Sequence, residues 1–580
     1  MLRSLVKKPL KRILRSTGLY PFLPRDLEEE AVLWQATLPD WAEILSRDPA
    51  LWESARNAAS DGPHILVATS TGGFSPTSMM DSLLAVALTL RGARVHNLLC
   101  DEVLPACMVP RMRYFGETER FVKHGPSKLT CAKCFRPGDA MFRPLGLPAH
   151  RYSELISARE RQEAHDLSLR LPITEIQQYH LDDVAIGEEA VAGALRFYTR
   201  GHFEDEPHGE TVLRYYFKAS LLTVYAIRRL LKTYAFTCVC MVHGIYVPHG
   251  LIRKVAHQQN VRSVSWAPEY RKQTFIFSHH DTYHHTMLTE PTADWENLPW
   301  NAEMEAEILE YLKSRWYGTR DWVVYQKNHP QEDVAAISAE LGVDFSKPCI
   351  GLLTNVLFDA QIFYAGKAFS NTLEWVLQTI EYFANRPDLQ LIIRVHPAEL
   401  RGTDPSRQPI IPEIRQAFPT LPKNVFIIPP ESSISTYVVM LQCDTAIIYG
   451  TKAGVELTSM GIPVLVAGEA WIRNKGVTMD ASSPDEYFRL LNRLPLKERL
   501  NEATVQRARK YAYHYFFRRM IPLSFVEPTR PIYQLALSGI NDLLPGQNVG
   551  LDVVCNGILN GDKFIYPAEF SPETLNNRVL

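Results

Sequence analysis

Arg394 and His396, in the run 389–399 (LQLIIRVHPAE), are the residues around which chemistry can be built. Leu391, Ile392 and Ile393 form the apolar run of a strand buried on both faces. Pro397 cannot extend a ladder, so the strand stops there and leaves His396 at its carboxyl end. Open α/β sheets hold their ligands at that end. Both side chains donate hydrogen bonds suited to phosphate or carboxylate. The alternative is a buried histidine that simply ends a strand.

The following segments repeat the pattern. Val425 to Ile428 reads as another buried strand, and PESSISTYVVML after it starts a helix near Ser432, Ser433 and Ser435, where backbone N–H groups are free. Thr445 to Tyr449 is a strand followed by Gly450-Thr451-Lys452-Ala453-Gly454-Val455-Glu456. Such a small-residue turn lets backbone approach a ligand, and the helix it opens favours anions. Pro463 to Ala467 is one more strand, and its exit loop carries Lys475 and Gly476. Three successive strand ends thus bear a His-Pro, a Gly/Thr turn and a Lys-Gly loop, the parts of one nucleotide-phosphate site on a parallel sheet.

His396-Pro397, the Ser-rich helix start with Tyr437, the turn before Glu456, Gly461-Ile462-Pro463-Val464 and Lys475-Gly476 occur in this order. Together they resemble the capsule polysaccharide biosynthesis transferases, the group containing bacterial Kdo transferases. The resemblance implies a GT-B-like fold, with a CMP-activated acidic sugar held by the carboxyl-terminal half and no cofactor or metal required for transfer. The nucleotide-sugar contacts are then Arg394, His396, Ser432, Ser433, Thr451, Lys452, Gly454, Glu456, Lys475 and Gly476, with Glu456 on the ribose and Lys475 on a donor carboxylate or phosphate. Lys452 stands where the family turn is usually rich in Ser and Thr, and this cation bears on which donor fits.

These residues need elements to position them. The chain has 580 residues, more than one core usually organises, so two domains plus extensions are expected. Hydrophobic residues make up 46% and charged residues 22%, ordinary for a globular protein, and nothing in a net charge of −2 points to a nucleic-acid binder. No run is long and apolar enough to span a membrane, and no secretory h-region follows Met1. The expected class is α/β, with two Rossmann-like domains facing a cleft. Residues 1–20 form a basic amphipathic segment, and 21–330 an acceptor domain with a Cys-rich insertion. Residues 331–500 form the nucleotide-sugar domain, and 501–580 helices that cross back and a tail.

In the first domain His64 to Thr69 is a strand leading into Ser70-Thr71-Gly72-Gly73. This loop is neither a Walker A loop nor a dinucleotide fingerprint. Thr71, Gly72 and Gly73 form either an acceptor-side contact or a tight turn. Helices are expected over 151–171 and 211–234. Phe236 to Val242 is a strand ending at His243, a candidate general base or acceptor contact. His279, His280, His284 and His285 read as surface or cleft polarity rather than as a ligand set. In the second domain the loop after Cys349–Thr354 carries Asp359, a candidate catalytic carboxylate or an Asx turn. The aromatic and basic run 507–520 reads as a helix packed across the domains.

Nine cysteines with no secretory signal point to a reducing compartment. Cys131 and Cys134 have the C-x2-C spacing that lets two thiolates share one tetrahedral metal. Cys100 and Cys107 could close the site, giving a structural zinc; the alternative is unmetallated thiols that order a loop.

The leading reading is a cytoplasmic glycosyltransferase of surface polysaccharide synthesis, peripheral on the membrane, moving a sugar from a nucleotide donor to a glycan or glycolipid acceptor, with no nucleic-acid partner. A teichoic-acid-type glycerophosphotransferase, a sugar-nucleotide epimerase and a non-catalytic glycan- or nucleotide-sugar-binding assembly protein remain as alternatives. The membrane reading rests on Arg3, Lys7, Lys8, Lys11, Arg12 and Arg15, interleaved with Leu2, Leu5, Val6, Leu10, Ile13 and Leu14. Deleting residues 1–16 is expected to release the protein from anionic liposomes in a flotation assay and leave its melting temperature unchanged. Unchanged flotation contradicts this role.

Overall fold

The structure, a computed structural model, describes residues 38–112, 118–126, 128–324, 329–364, 366–402, 404–527 and 534–570. The basic segment at residues 1–20 lies outside them. Two sheets organise the chain. The first takes β1 (His64–Ser70), β2 (Arg94–Leu99) and β3 (Ala149–Arg151). A separate hairpin of β4 (His180–Leu181) and β5 (Val184–Ala185) intervenes, and then β6 (Phe236–Val242), β7 (Arg262–Pro268) and β8 (Thr274–His279) complete the run. The second sheet takes β9 (Cys349–Leu353), β10 (Gln390–Arg394), β11 (Val425–Ile428), β12 (Thr445–Ile448), β13 (Val464–Val466) and β14 (Met479–Asp480). A last short strand, β15 (Ile521–Pro522), returns to the first sheet and pairs antiparallel with β8.

Strand order is β15-β8-β7-β6-β1-β2-β3 in the first sheet and β11-β10-β9-β12-β13-β14 in the second. The second is parallel throughout. In both, the chain lays three strands outward in one direction and then crosses back past the first. That reversal opens a crevice at the carboxyl ends, between β1 and β6 in one lobe and between β9 and β12 in the other. The apolar runs read in the sequence are these central strands. Every residue of β9, β10, β12 and β13 is buried, as strands covered on both faces must be.

Helices cover the sheets. Thr372–Ala384, capped by Asn371, turns Trp375, Ile380 and Phe383 inward, and Gly209–Thr233 spans the first lobe. The single helix expected over 151–171 is instead β3, a short turn of helix and a helix over Ala158–Arg170. Ser157 and Glu160 form a capping box that starts this helix late. The tract 507–520 is the end of the helix Glu502–Tyr513 and a π-helical turn, His514–Arg519. Its Tyr511, Tyr513, Tyr515, Phe516 and Phe517 are buried in a core shared by both lobes. Beyond it, the helix Val549–Asn560 docks on the first lobe, where Arg91 reaches Asp552 at 2.5 Å. Among the described residues no helix is long and apolar enough to cross a membrane.

Between the lobes the helix Ala302–Arg315 ends in a guanidinium held by two carboxylates. Arg315 pairs with Asp321 in the connector and, at 3.0 Å, with Glu456 of the second lobe. All three side chains are buried, with exposures of 8%, 5% and 2%. Tyr437 donates to the other oxygen of Glu456. Removing the cation strands two buried carboxylates, so Arg315→Met is expected to cost about 3–5 kcal/mol in denaturant unfolding. A loss near zero contradicts the account of how the lobes are tied.

Candidate active site

The cleft between the lobes divides into two connected cavities at the carboxyl ends of the second sheet. One, of 220 Å³, is walled by Asn355 and Asp359 after β9, His396 after β10, Gly450, Thr451 and Lys452 after β12, and Glu469 and Trp471 after β13; Tyr270, Tyr283 and His284 close it from the first lobe. The other, of 180 Å³, is walled by Arg315, Trp316, Arg394, Tyr437 and Glu456. Tyr270, His396, Thr451 and Lys452 line both and form the waist.

At the waist two nitrogen donors differ in character. His396 is fixed by its backbone N–H, which donates to Thr354 Oγ1 at 3.0 Å, and by its Nδ1, which accepts the Ala398 N–H at 3.1 Å. That bond leaves the ring proton on Nε2. Burial, with Arg394 beside it, lowers the imidazole to about 4, so it is a neutral donor at physiological pH. Lys452 packs its ammonium over the ring of Tyr270. Burial pulls it down to about 7, against the opposing pull of Glu269 and Glu456. Burial also raises Glu269, to about 8. Near neutral pH Lys452 is therefore only partly protonated, and an anion arriving at the waist favours its charged form.

The smaller cavity is flat-walled. Trp316 and Tyr437 stack with centroids 5.2 Å apart and planes 4° from parallel, and Lys313 lies 3.4 Å over the indole. Arg394 donates to Thr436 Oγ1 at 3.1 Å and to the carbonyls of Pro429 and Ser432, so it pins the loop before the helix Thr436–Gln442. On the first-lobe side His284 Nδ1 meets Tyr364 Oη at 2.5 Å, and Tyr246 donates to Asp359 at 3.4 Å. Asp359 is the exposed carboxylate of this wall.

The structure gathers Arg394, His396, Thr451, Lys452, Glu456 and Asp359 on the cleft and separates the other expected residues from it. Ser432 and Ser433 do not line either cavity. Ser432 Oγ accepts the Ile434 N–H at 3.2 Å, and it is Ser435 that caps the helix. Lys475 is buried and donates to the Leu288 carbonyl at 3.3 Å, clamping the two lobes rather than facing a donor. Gly476 turns the chain at φ 73° beside Arg507. Gly454 lets its helix pack on the sheet: a Cβ there would lie 2.6 Å from Ile448 Cδ1. Glu456 lines the smaller cavity, but its oxygens are committed to Arg315 and Tyr437. His243 stands behind the wall, next to Tyr283, with burial lowering its imidazole to about 3. Thr71, Gly72 and Gly73 are buried under the helix Lys128–Phe142, where a Cβ on Gly73 would lie 2.5 Å from Cys134 Cα. These glycines admit a helix, not an acceptor.

Sequence reasoning missed Tyr270, Tyr283, Trp316 and Trp471, and it read His284 only as surface or cleft polarity. Tyr270 sits two residues beyond β7 and His284 in the histidine tract, so strand ends in the first lobe were the available signal. Trp471 lies in the exit loop of β13, whereas Trp316 follows no such rule, because it meets the cleft only through tertiary packing.

No curated protein matches the chain. Solved structures that resemble it include the beta Kdo 2,4 transferase of Thermosulfurimonas dismutans KpsC, at 13% identity and a TM-score of 0.30 over 47% of this chain and 79% of that one. The beta Kdo 2,7 transferase of the same KpsC follows at 11% and 0.31 over 55% and 88%. The UDP-GlcNAc 2-epimerase of Neisseria meningitidis bound to UDP-GlcNAc aligns at 11% and 0.23 over 78% and 94%. Residues 317–514 match the model of capsule polysaccharide biosynthesis proteins. That stretch contains β9 to β14 and the whole second-lobe wall of the cleft, so it is this part of the chain that is similar to capsule polysaccharide biosynthesis proteins.

Proposed function

We propose that the protein is a glycosyltransferase of capsular polysaccharide synthesis, taking a sugar from a nucleotide donor and passing it to a glycan or glycolipid acceptor. The observation that carries this reading is the waist, where His396 and Lys452 meet between a flat aromatic cavity and a polar one shared with the first lobe. The nucleotide occupies the cavity of Trp316 and Tyr437. Its sugar reaches through the waist into the cavity of Asn355, Asp359 and His284. A CMP-linked acidic sugar is favoured by the motif resemblance, and the cationic waist suits an acidic donor.

As the bond from the anomeric carbon to the phosphate oxygen breaks, negative charge grows on that oxygen. The Nε2–H of His396 and the ammonium of Lys452 are preorganised to receive it in a site shielded from water. Asp359 takes the proton of the attacking acceptor hydroxyl, with Tyr246 holding the carboxylate in place. In this scheme these groups serve the leaving group, and turnover does not depend on added Mg²⁺ or Mn²⁺. The basic segment at residues 1–16 holds the enzyme at an anionic cytoplasmic membrane face, where a lipid-linked acceptor resides.

Thermal shift against CMP, CDP, UDP and GDP identifies the nucleotide, and a labelled donor then reports transfer. His396→Ala is expected to slow single-turnover transfer about 100- to 1000-fold with saturating donor. His396→Asn, which keeps one N–H donor, should recover part of the rate. A stable His396→Ala variant with the full rate contradicts the leaving-group role.

A further inference from the structure

Cys100, Cys107, Cys131 and Cys134, expected to close a zinc site, line a cavity of 30 Å³, but among the described residues no three His, Cys, Asp or Glu side chains are placed to hold a metal ion. The histidine tract of the first lobe does more. The loop that leaves β9 carries Asp359, and the first lobe grips this loop along its length. Tyr246 Oη accepts the Ala360 N–H at 3.1 Å and donates to Asp359 at 3.4 Å. His284 Nδ1 meets Tyr364 Oη at 2.5 Å, and His285 Nε2 meets the Phe363 carbonyl at 2.5 Å. A turn of 3₁₀ helix, Gln361–Phe363, joins these points, closed by the Phe363 N–H on the Ala360 carbonyl at 3.0 Å. Phe363 is buried edge-on to Tyr246, with ring centroids 5.7 Å apart.

Both ring nitrogens of His285 face oxygens. Nε2 points at the Phe363 carbonyl, which only accepts, so Nε2 carries a proton. Nδ1 lies 3.0 Å from Asp281 Oδ2. The other oxygen of Asp281 takes the Arg253 guanidinium at 2.8 Å and the Thr282 N–H at 2.7 Å. That company keeps the carboxylate ionised, so it too only accepts, and Nδ1 carries a proton as well. A neutral imidazole has a single N–H, so this geometry calls for the imidazolium. We propose that His285, as an imidazolium shared between Asp281 of the first lobe and the Phe363 carbonyl of the second, is the positioning residue that docks the Asp359 loop in the cleft, and that loss of its proton releases the loop. The inference rests on the assignment of Asp359 as the base of the proposed transfer. His285 itself lines neither cavity, so it acts through the loop and not on a substrate.

The groups around the ring leave His285 as the one that changes charge near neutrality. His284, next to it in the helix Tyr283–Thr289, is lowered by burial to about 3 and stays neutral. Tyr364, from the second-lobe loop, stands edge-on with its centroid 6.4 Å away, and burial pushes its phenol well above the ordinary value. Of the neighbouring strands, β7 offers the uncharged Ser265, which donates to the Asp281 carbonyl at 2.8 Å. His279 at the end of β8 is turned to the Asp562 carbonyl at 2.8 Å, and His280 is exposed. Arg253, on the helix His249–Gln258, keeps its charge throughout. The bond to Asp281 raises the His285 imidazole above its ordinary value, against burial and the Arg253 charge. A raised value places the docked loop on the acid side: docking is complete below the ordinary histidine range and weakens as pH rises through the raised one.

The test is hydrogen–deuterium exchange of the full chain without ligand, with rates corrected for the chemical effect of pH and peptides of β10 as the reference. Protection of residues 359–364 is expected to fall severalfold from about pH 6 to about pH 9. His285→Gln should show the low protection at both ends. Asp281→Asn, which removes the acceptor of the second proton, should move the fall to lower pH, and it carries the test should His285→Gln not fold. Lys452→Met should leave the fall in place, which separates it from titration at the waist. In transfer assays His285→Gln should lower kcat severalfold and leave donor KM unchanged. Protection that does not vary with pH, or a fall unchanged in both His285→Gln and Asp281→Asn, overturns the docking role, as does full kcat in His285→Gln where Asp359→Asn is slow. Full kcat in Asp359→Asn instead overturns the base assignment, and the exchange data alone then decide the docking.

Discussion

The cleft depends on one buried cation. Arg315 ends the helix that joins the lobes, and its guanidinium is shared between Asp321 in the connector and Glu456 in the second lobe. Its carbon also lies 5.5 Å from the ring centroid of Tyr270 and 5.1 Å from that of Phe516. First lobe, connector, second lobe and carboxyl-terminal helix therefore meet at one charge. Because Glu456 is held there, Tyr437 is fixed by its hydroxyl and presents a flat face against Trp316. The shape of the smaller cavity follows from that pairing. A buried ion pair is weak evidence for stability but strong evidence that a geometry is specified, since breaking it leaves charges with nowhere to go.

The same burial shapes the chemistry of the waist. Lys452 sits under Tyr270, with Glu269 and Glu456 acting on it through the protein interior. It is poised near neutrality because desolvation disfavours its charge and the two carboxylates restore part of it. His396, a few residues from a strand end, is instead locked neutral by desolvation and by the Ala398 N–H on its Nδ1. One group can change charge when an anion arrives and the other cannot. In the proposed transfer this asymmetry separates the two roles: His396 supplies a directed hydrogen bond and Lys452 supplies charge.

Much of the architecture was legible because both lobes are built from short apolar runs broken by Pro, Gly and polar turns. LQLIIRVHP and TAIIYGT read as buried strands ending in polar exits, and they are β10 and β12 flanking β9. Direction was less legible than position. Lys475 and Ser432 lie near strand and helix ends as expected, yet one points to the Leu288 carbonyl and the other to its own loop. Nothing in a linear pattern says which way a loop side chain turns. The first-lobe wall was hidden for another reason. Tyr283 and His284 reach the cleft because the helix Tyr283–Thr289 is clamped to the second lobe, with the Trp471 indole donating to the His284 carbonyl at 3.1 Å. The glycine pair after β1 stayed open between an acceptor contact and a tight turn because the packing that requires it, a cysteine-bearing helix at backbone contact, lies 61 residues downstream.

The central claim is that a phosphate is received at the waist by a lysine that must gain a proton to bind it. Titration calorimetry of the nucleotide identified by thermal shift, in buffers of different ionisation enthalpy, counts that proton. Lys452 in the free protein lies at about 7 and an adjacent phosphate raises it. Below pH 7 the lysine is already charged, so little proton is taken up. At pH 8 it is mostly neutral, so binding takes up close to one proton, and affinity falls as pH rises above 7. His396, at about 4, contributes nothing in this window. Proton uptake at pH 8 that disappears in Lys452→Met is the result the account predicts; no uptake, or uptake unchanged in that variant, would contradict it.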